Sequence, residues 1–162
     1  MKARMAVAAG SLACAMGGLL LTGAPAAAAE GGQSCVVNLD DTTVTCAATE
    51  AQAMRAAEVA ADLVIARFYD GTNYSGAVLT WVQSRACTSS YDSEWQWADL
   101  RSTSGGNWNN RVSSIRTYNR CDVKLYDGIN FTGAASTWID TASNLAAIGS
   151  GWSNRAGSVK FS

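Results

Sequence analysis

Along the chain, short apolar runs alternate with segments rich in Gly, Asn and Asp. Leu63 to Tyr69, Ala77 to Val82, Ser113 to Tyr118, Asp122 to Tyr126, Ala135 to Ile139 and Gly157 to Phe161 are rich in β-branched or aromatic residues, and several alternate in polarity. That pattern, bounded by turn formers, predicts six short strands. Asp70-Gly71 and Asp127-Gly128 directly follow aromatic strand ends and read as turns. Short strands at such spacing predict an all-β sandwich. One stretch departs from the pattern. From about Ala48 to Asp62 the chain is alanine-rich, and Thr49 with Gln52 has the spacing of a capping box, which predicts a helix. Its alanine face buries little, so it should pack on the sandwich.

The strands are organised by an internal repeat. Residues 67–81 and 124–138 share the frame Tyr-Asp-Gly-x-Asn-aromatic-x-Gly-Ala and a closing Thr-Trp at an offset of 57. Later in each unit, Trp108-Asn109-Asn110-Arg111-Val112-Ser113-Ser114-Ile115 aligns with Trp152-Ser153-Asn154-Arg155-Ala156-Gly157-Ser158-Val159, now at an offset of 44. The first unit therefore carries about 13 extra residues between Trp81 and Trp108. These include Cys87 and the stretch from Tyr91 to Trp97. The expected organisation is a hairpin and helix over 30–62 and a duplicated domain over 63–162, with copies at about 63–118 and 121–162.

Lys2 and Arg4, an apolar stretch from Met5 to Leu21 and the small residues ending at Ala29 have the order of a secretory signal peptide, which would occupy residues 1–29. The stretch is too short and too rich in Gly and Ala for a membrane span. The expected product is a secreted, extracellular monomer with no membrane attachment after cleavage. Losing Lys2 and Arg4 leaves 10 basic and 13 acidic residues, a net charge of −3. With basic residues scattered singly, this gives no footprint for nucleic acid. Cys14 leaves with the signal, so Cys35, Cys46, Cys87 and Cys121 remain and read as two disulfides in an exported chain. Of three connectivities, spacing favours Cys35–Cys46 closing a hairpin around Asn38 to Thr42, which leaves Cys87–Cys121. Zinc fits poorly, because no cysteine pair has ligand spacing and the chain has no histidine.

The strand-end aromatic, the Tyr-Asp-Gly-x-Asn-Phe-x-Gly loop and the Trp-Asn-Asn-Arg-Val-Ser-Ser-Ile-Arg segment together resemble the βγ-crystallin superfamily from Val64 to Ser162. With the Cys-Val-Val-Asn-Leu-Asp hairpin and short helix in front, the layout looks like the secreted actinobacterial proteins classed with metalloproteinase inhibitors. The resemblance implies a βγ-crystallin-like double Greek-key sandwich, preceded by a short disulfide hairpin and one helix. For some members it also implies tight inhibition of a secreted protease. In calcium-binding relatives the signature is Asn/Asp-Asn/Asp-x-x-Ser/Thr-Ser, which Asn109-Asn110-Arg111-Val112-Ser113-Ser114 matches in full. Such sites draw on both motifs, so the resemblance implies calcium ligands among Asp70, Asn109, Asn110, Ser113, Asp127 and Asn154. Amide, hydroxyl and carbonyl oxygens suit a hard cation. Ser153 and Gly157 depart from the signature in the second copy, leaving at most one good site. Without calcium, Asn109-Asn110 is a plain turn and Ser113 bonds nearby backbone.

Catalysis has few supports. The absence of histidine excludes Ser-His-Asp and Cys-His machinery, and no Gly-rich phosphate loop is present. Asp92, Glu94 and Asp99 beside Trp95 and Trp97 could in principle cleave or bind a glycoside; as a plain polar loop they would only cover the sandwich edge. The expected function is non-enzymatic binding, with the insertion as inhibitory loop: Arg85-Ala86-Cys87-Thr88, tethered by a bond to Cys121, would be pre-ordered for a protease. The alternatives are a calcium-binding structural or stress module, or a carbohydrate-binding or growth-inhibiting toxin-like protein.

Overall fold

The computed structural model describes residues 32–59, 62–103 and 106–162. The expected export signal lies outside the described residues. Two sheets face each other. The larger contains β1 (Ser34–Asn38), β2 (Val44–Ala47), β3 (Leu63–Tyr69), β4 (Val78–Gln83), β6 (Ser114–Thr117) and β8 (Thr141–Ala142), in the order β2-β1-β4-β3-β6-β8. The smaller runs β5 (Trp95–Trp97), β9 (Ser158–Phe161), β7 (Val123–Tyr126). The chain thus forms an all-β, βγ-crystallin-like sandwich with a short helix and two disulfides, Cys35–Cys46 and Cys87–Cys121. No helix among the described residues is long and apolar enough to cross a membrane.

The two copies of the repeat exchange strands. β5 of the first copy pairs with β9 of the second, and β8 of the second pairs with β6 of the first. Neither strand appears among those expected from the sequence, since three and two residues are too few to show a period. Conversely, Ala135 to Ile139 was expected as a strand, yet it makes only isolated bridges, Tyr126 to Ala135 and Val123 to Ile139. Ser136 accounts for the break: its hydroxyl takes the Leu125 N–H and donates to Thr137 O, in place of a regular ladder.

Aromatic side chains from both sheets meet in the core. Phe68 and Trp81 of the larger sheet lie 5.5 Å apart, and Phe161 of the smaller sits 5.0 Å from Trp81 and 6.3 Å from Phe68. β4 is buried along its whole length, which alternation explains. Leu79 and Trp81 join the inter-sheet core, whereas Val82 packs outward with Val36, Ala53 and Val59. The N-terminal unit supplies that outer cover. β1 adds to the sheet parallel to β4, with Cys35 opposite Leu79 and Val37 opposite Trp81, and α1 (Glu50–Ala56) lies on the outer face.

Thr49 caps α1 as expected, its hydroxyl accepting from Gln52 N–H at 3.3 Å. The helix is shorter than the predicted 48–62 and ends at Ala56. Glu58 takes a left-handed backbone (φ 55°), turning the chain so that Val59 can bury against Val36 and Val82. Ala60 and Ala61 lie outside the described residues. Glu50 fastens the helix to the sheet by accepting from Arg67 Nε at 2.6 Å and from the Thr80 hydroxyl at 2.7 Å.

Candidate functional site

The shared frame of the repeat is spent on two matching corners. Between β3 and β4, Asp70 Oδ1 accepts from Ala77 N–H at 2.8 Å, and its other oxygen takes Arg111 at 2.8 Å. In the second copy Asp127 does the same with Ala134 N–H at 2.8 Å and Arg155 at 3.1 Å. Each arginine also lies over a tryptophan, Arg111 over Trp108 at 4.6 Å and Arg155 over Trp152 at 4.7 Å. At the corner tips Asn73 and Tyr74, like Asn130 and Phe131, adopt left-handed backbones that cost energy for side chains of this size. Edge-on packing offsets the cost: Tyr74 meets Tyr69, and Phe131 meets Tyr126, at 5.7 Å in both copies.

The motif serines divide in two. Ser114 donates to Gly71 O at 2.6 Å and accepts from Tyr74 N–H at 3.0 Å, and Ser158 repeats this with Gly128 O and Phe131 N–H. Ser113 instead meets the other copy. Its hydroxyl donates to Asn154 Oδ1 at 3.0 Å and accepts from Ser153 Oγ at 3.3 Å. Asn110 and Asn154 hold equivalent left-handed positions, φ 55° in both, and each backbone N–H crosses to the other copy, to Ala156 O and Val112 O.

Of the expected calcium ligands, the structure therefore brings Ser113 and Asn154 together. Asp70 and Asp127 remain in their own corners, with both carboxylate oxygens engaged. Among the described residues no three Cys, Asp or Glu side chains gather as a metal cluster. The donors at the cross-copy point are an amide and two hydroxyls, of the oxygen type a hard cation accepts. At position 157 a hydroxyl is absent, and a Cβ there would sit 2.7 Å from Asp127 O.

The insertion leaves β4 at Gln83 and returns as β5. Buried Gln83 donates from Nε2 to Arg85 O at 2.6 Å. Cys87 is buried, bonded to Cys121, and its N–H donates to Asn119 O at 3.2 Å. Glu94, whose side chain is 7% exposed, grips the loop from within: one oxygen accepts Arg85 Nη1 at 2.6 Å and the other the Thr88 N–H at 2.7 Å. Burial opposes its charge, but the Thr88 N–H and Arg85 outweigh that and hold the carboxyl below its ordinary value. Arg85 also lies over the Trp95 ring at 4.0 Å, yet its side chain stays 53% exposed. The loop over Arg85, Ala86, Cys87 and Thr88 is thus held from four sides, with Arg85 and Thr88 at the surface.

Trp95 and Trp97 pack against the core, and Trp97 meets Trp81 at 5.8 Å while its N–H donates to Asp99 O. Asp99 is held by Arg101, whose hydrogen bonds, against some burial, keep its carboxyl low. Glu94 and Asp99 are thus each engaged by an arginine, and the two rings are turned to the core. Sequence reasoning missed Glu94 as the organiser of the loop. Its signal was present but not unique: an acid nine residues after Arg85 and seven after Cys87, with Asp92 two residues before it.

Residues 68–138 match the model of peptidase inhibitor family I36. The matched segment begins in β3 and ends at Trp138, so the I36-like part contains the whole insertion and the Cys87–Cys121 bridge. Among solved structures, a βγ-crystallin domain from Clostridium beijerinckii is 21% identical, covering 60% of this chain and 95% of that one, with a TM-score of 0.44. One from Flavobacterium johnsoniae is 21% identical over 60% of this chain and 93% of that one, TM-score 0.44. A third, from Ciona intestinalis, is 19% identical over 59% and 95%, TM-score 0.43. No curated protein matches the sequence. The matches single out no branch of the I36 family.

Proposed function

We propose that this chain is a secreted, non-enzymatic inhibitor of a peptidase, in the first instance a secreted metalloproteinase, and that Arg85, Ala86, Cys87 and Thr88 form the segment it presents. The observation that carries the reading is the I36 match spanning an insertion that is ordered before any partner arrives. Its backbone is tied by Cys87–Cys121, by Gln83 and by Glu94, so little conformational entropy is left to lose on binding. A panel of purified secreted metallo- and serine proteases, incubated with the protein, tests it. Stoichiometric loss of one protease's activity is expected, weakened by Arg85→Ala. Full activity of every protease at excess protein would refute the reading.

A second reading, compatible with the first, is one weak calcium site where the first copy's motif, through Ser113, meets the second copy. It is favoured by the convergence of Ser113 and Ser153 hydroxyls with Asn154 Oδ1. With no carboxylate among these three donors, affinity should be modest. Calcium should raise the melting temperature of the wild type but not of Ser113→Ala. Identical shifts in both, or none in either, would remove the site.

A further inference from the structure

Tyr91 is the one large hydrophobic side chain left prominently exposed among the described residues, at 71%. It stands at a cleft of about 250 Å³ between residues 88–91 of the insertion and Arg120, Asp122 and Ser162. The ring is not loose. Trp138 of the second copy backs it at 6.1 Å, with the planes 30° apart. Its loop is fixed by Cys87–Cys121 at one end, by Glu94 holding Thr88, and by the Ser162 hydroxyl donating to Ser90 O. An aromatic face exposed to water on an anchored loop, beside a concave surface, is a place for an apolar ligand face.

The lining has the complementary polar chemistry. Neither the Asp122 carboxylate nor the Arg120 guanidinium enters a hydrogen bond or ion pair with any described residue. Asp122 is held in place through its backbone, which exchanges hydrogen bonds with Ser162 at 2.7 and 3.0 Å. Burial, with Asp140 nearby, pushes its carboxyl upward, as for a group partly withdrawn from water. The cleft therefore offers an acceptor, a multiple donor and the hydroxyl of Ser89, all beside one aromatic ring.

We propose that this cleft is a carbohydrate subsite that takes one pyranose ring, its C–H face on Tyr91 and its hydroxyls shared between Asp122 and Arg120. A sugar presents an apolar face and hydroxyls that both donate and accept, which suits a lining of mixed sign. The volume, about 250 Å³, falls just below the range of drug-sized ligand pockets, about 300 Å³ and upward, which restricts the occupant to a single ring. A protein partner would need roughly 800 Å² on each side, far more than this cleft presents. The site goes beyond the inhibitory reading and stands whether or not any protease is inhibited.

The test is a titration of the protein with soluble oligosaccharides of glucose, mannose and N-acetylglucosamine, followed by amide chemical shifts. Saturable shifts clustered at residues 89–91 and 120–122 are expected with at least one saccharide. Tyr91→Ala and Asp122→Asn should each weaken that binding by roughly tenfold, and Tyr91→Phe should retain it. Melting curves confirm that each variant is folded. No saturable shift with any saccharide, shifts centred elsewhere, or equal affinity in Tyr91→Ala would overturn the proposal.

Discussion

Glu94 decides the shape of the candidate loop although it lies outside it. Its folded-state carboxyl is held below the ordinary value of 4.5, so the ionised form is the one the structure favours. For a depressed acid, the stabilisation is present above the unfolded pKa and is lost as pH falls through the folded one. Acidification should therefore release Thr88 N–H and Arg85. The Thr88 amide resonance is expected to shift below pH 4.5 in the wild type and to lose that transition in Glu94→Gln; an amide insensitive to acid would show that the carboxylate is not the clamp. Adjacent Ser113 and Ser114 carry a second lesson at this scale. The motif places them side by side, but successive positions at the start of a strand point to opposite sides. One is drawn into its own corner and the other into the second copy.

At the scale of elements, the corner is a unit whose parts depend on one another. Ser114 alone satisfies both the Gly71 carbonyl and the Tyr74 N–H at the tip, where the backbone cannot bond regularly. Ser114→Ala would leave two partly buried polar groups unmatched, at a cost below the roughly 1–3 kcal/mol each that full burial would carry, since water can reach them. A denaturation midpoint should fall clearly for Ser114→Ala and much less for Ser113→Ala; equal, small effects would mean the corner does not need its hydroxyl. The Asp-Gly turns at the corners, the hairpin disulfide and the cap at Thr49 were legible in the sequence, because each is made by residues close along the chain, whereas the serine and arginine that complete each corner come from later in the same copy. The end of α1 was not legible either. Glu58 turns into a left-handed conformation to bury Val59 against β1 and β4, and neither strand is near it in sequence.

In the molecule as a whole, neither copy is complete. β5 and β8 are each hydrogen-bonded to the other copy's last strand, and Phe161 closes the aromatic core around Phe68 and Trp81. Corner residue Asn73 donates its N–H to Ser143 O, and Asn130 reciprocates with Ala98 O, each at 2.7 Å. A chain of residues 32–118 should therefore fail to fold alone, giving no cooperative melt and solvent-exposed tryptophan emission, and should recover structure when 121–162 is added; a cooperative transition for the fragment would contradict this. By itself the sequence determined the duplication, the sandwich class and the Asp-Gly turns, and its spacing favoured the cysteine pairing found, since periodicity, turn chemistry and loop spacing are local signals. Only the tertiary structure decided which strands the copies exchange, that the N-terminal hairpin covers β4, and that Ser113 faces Asn154 while Tyr91 faces Trp138. Those pairings join positions tens of residues apart, and they follow from burying one shared core, which no local pattern records.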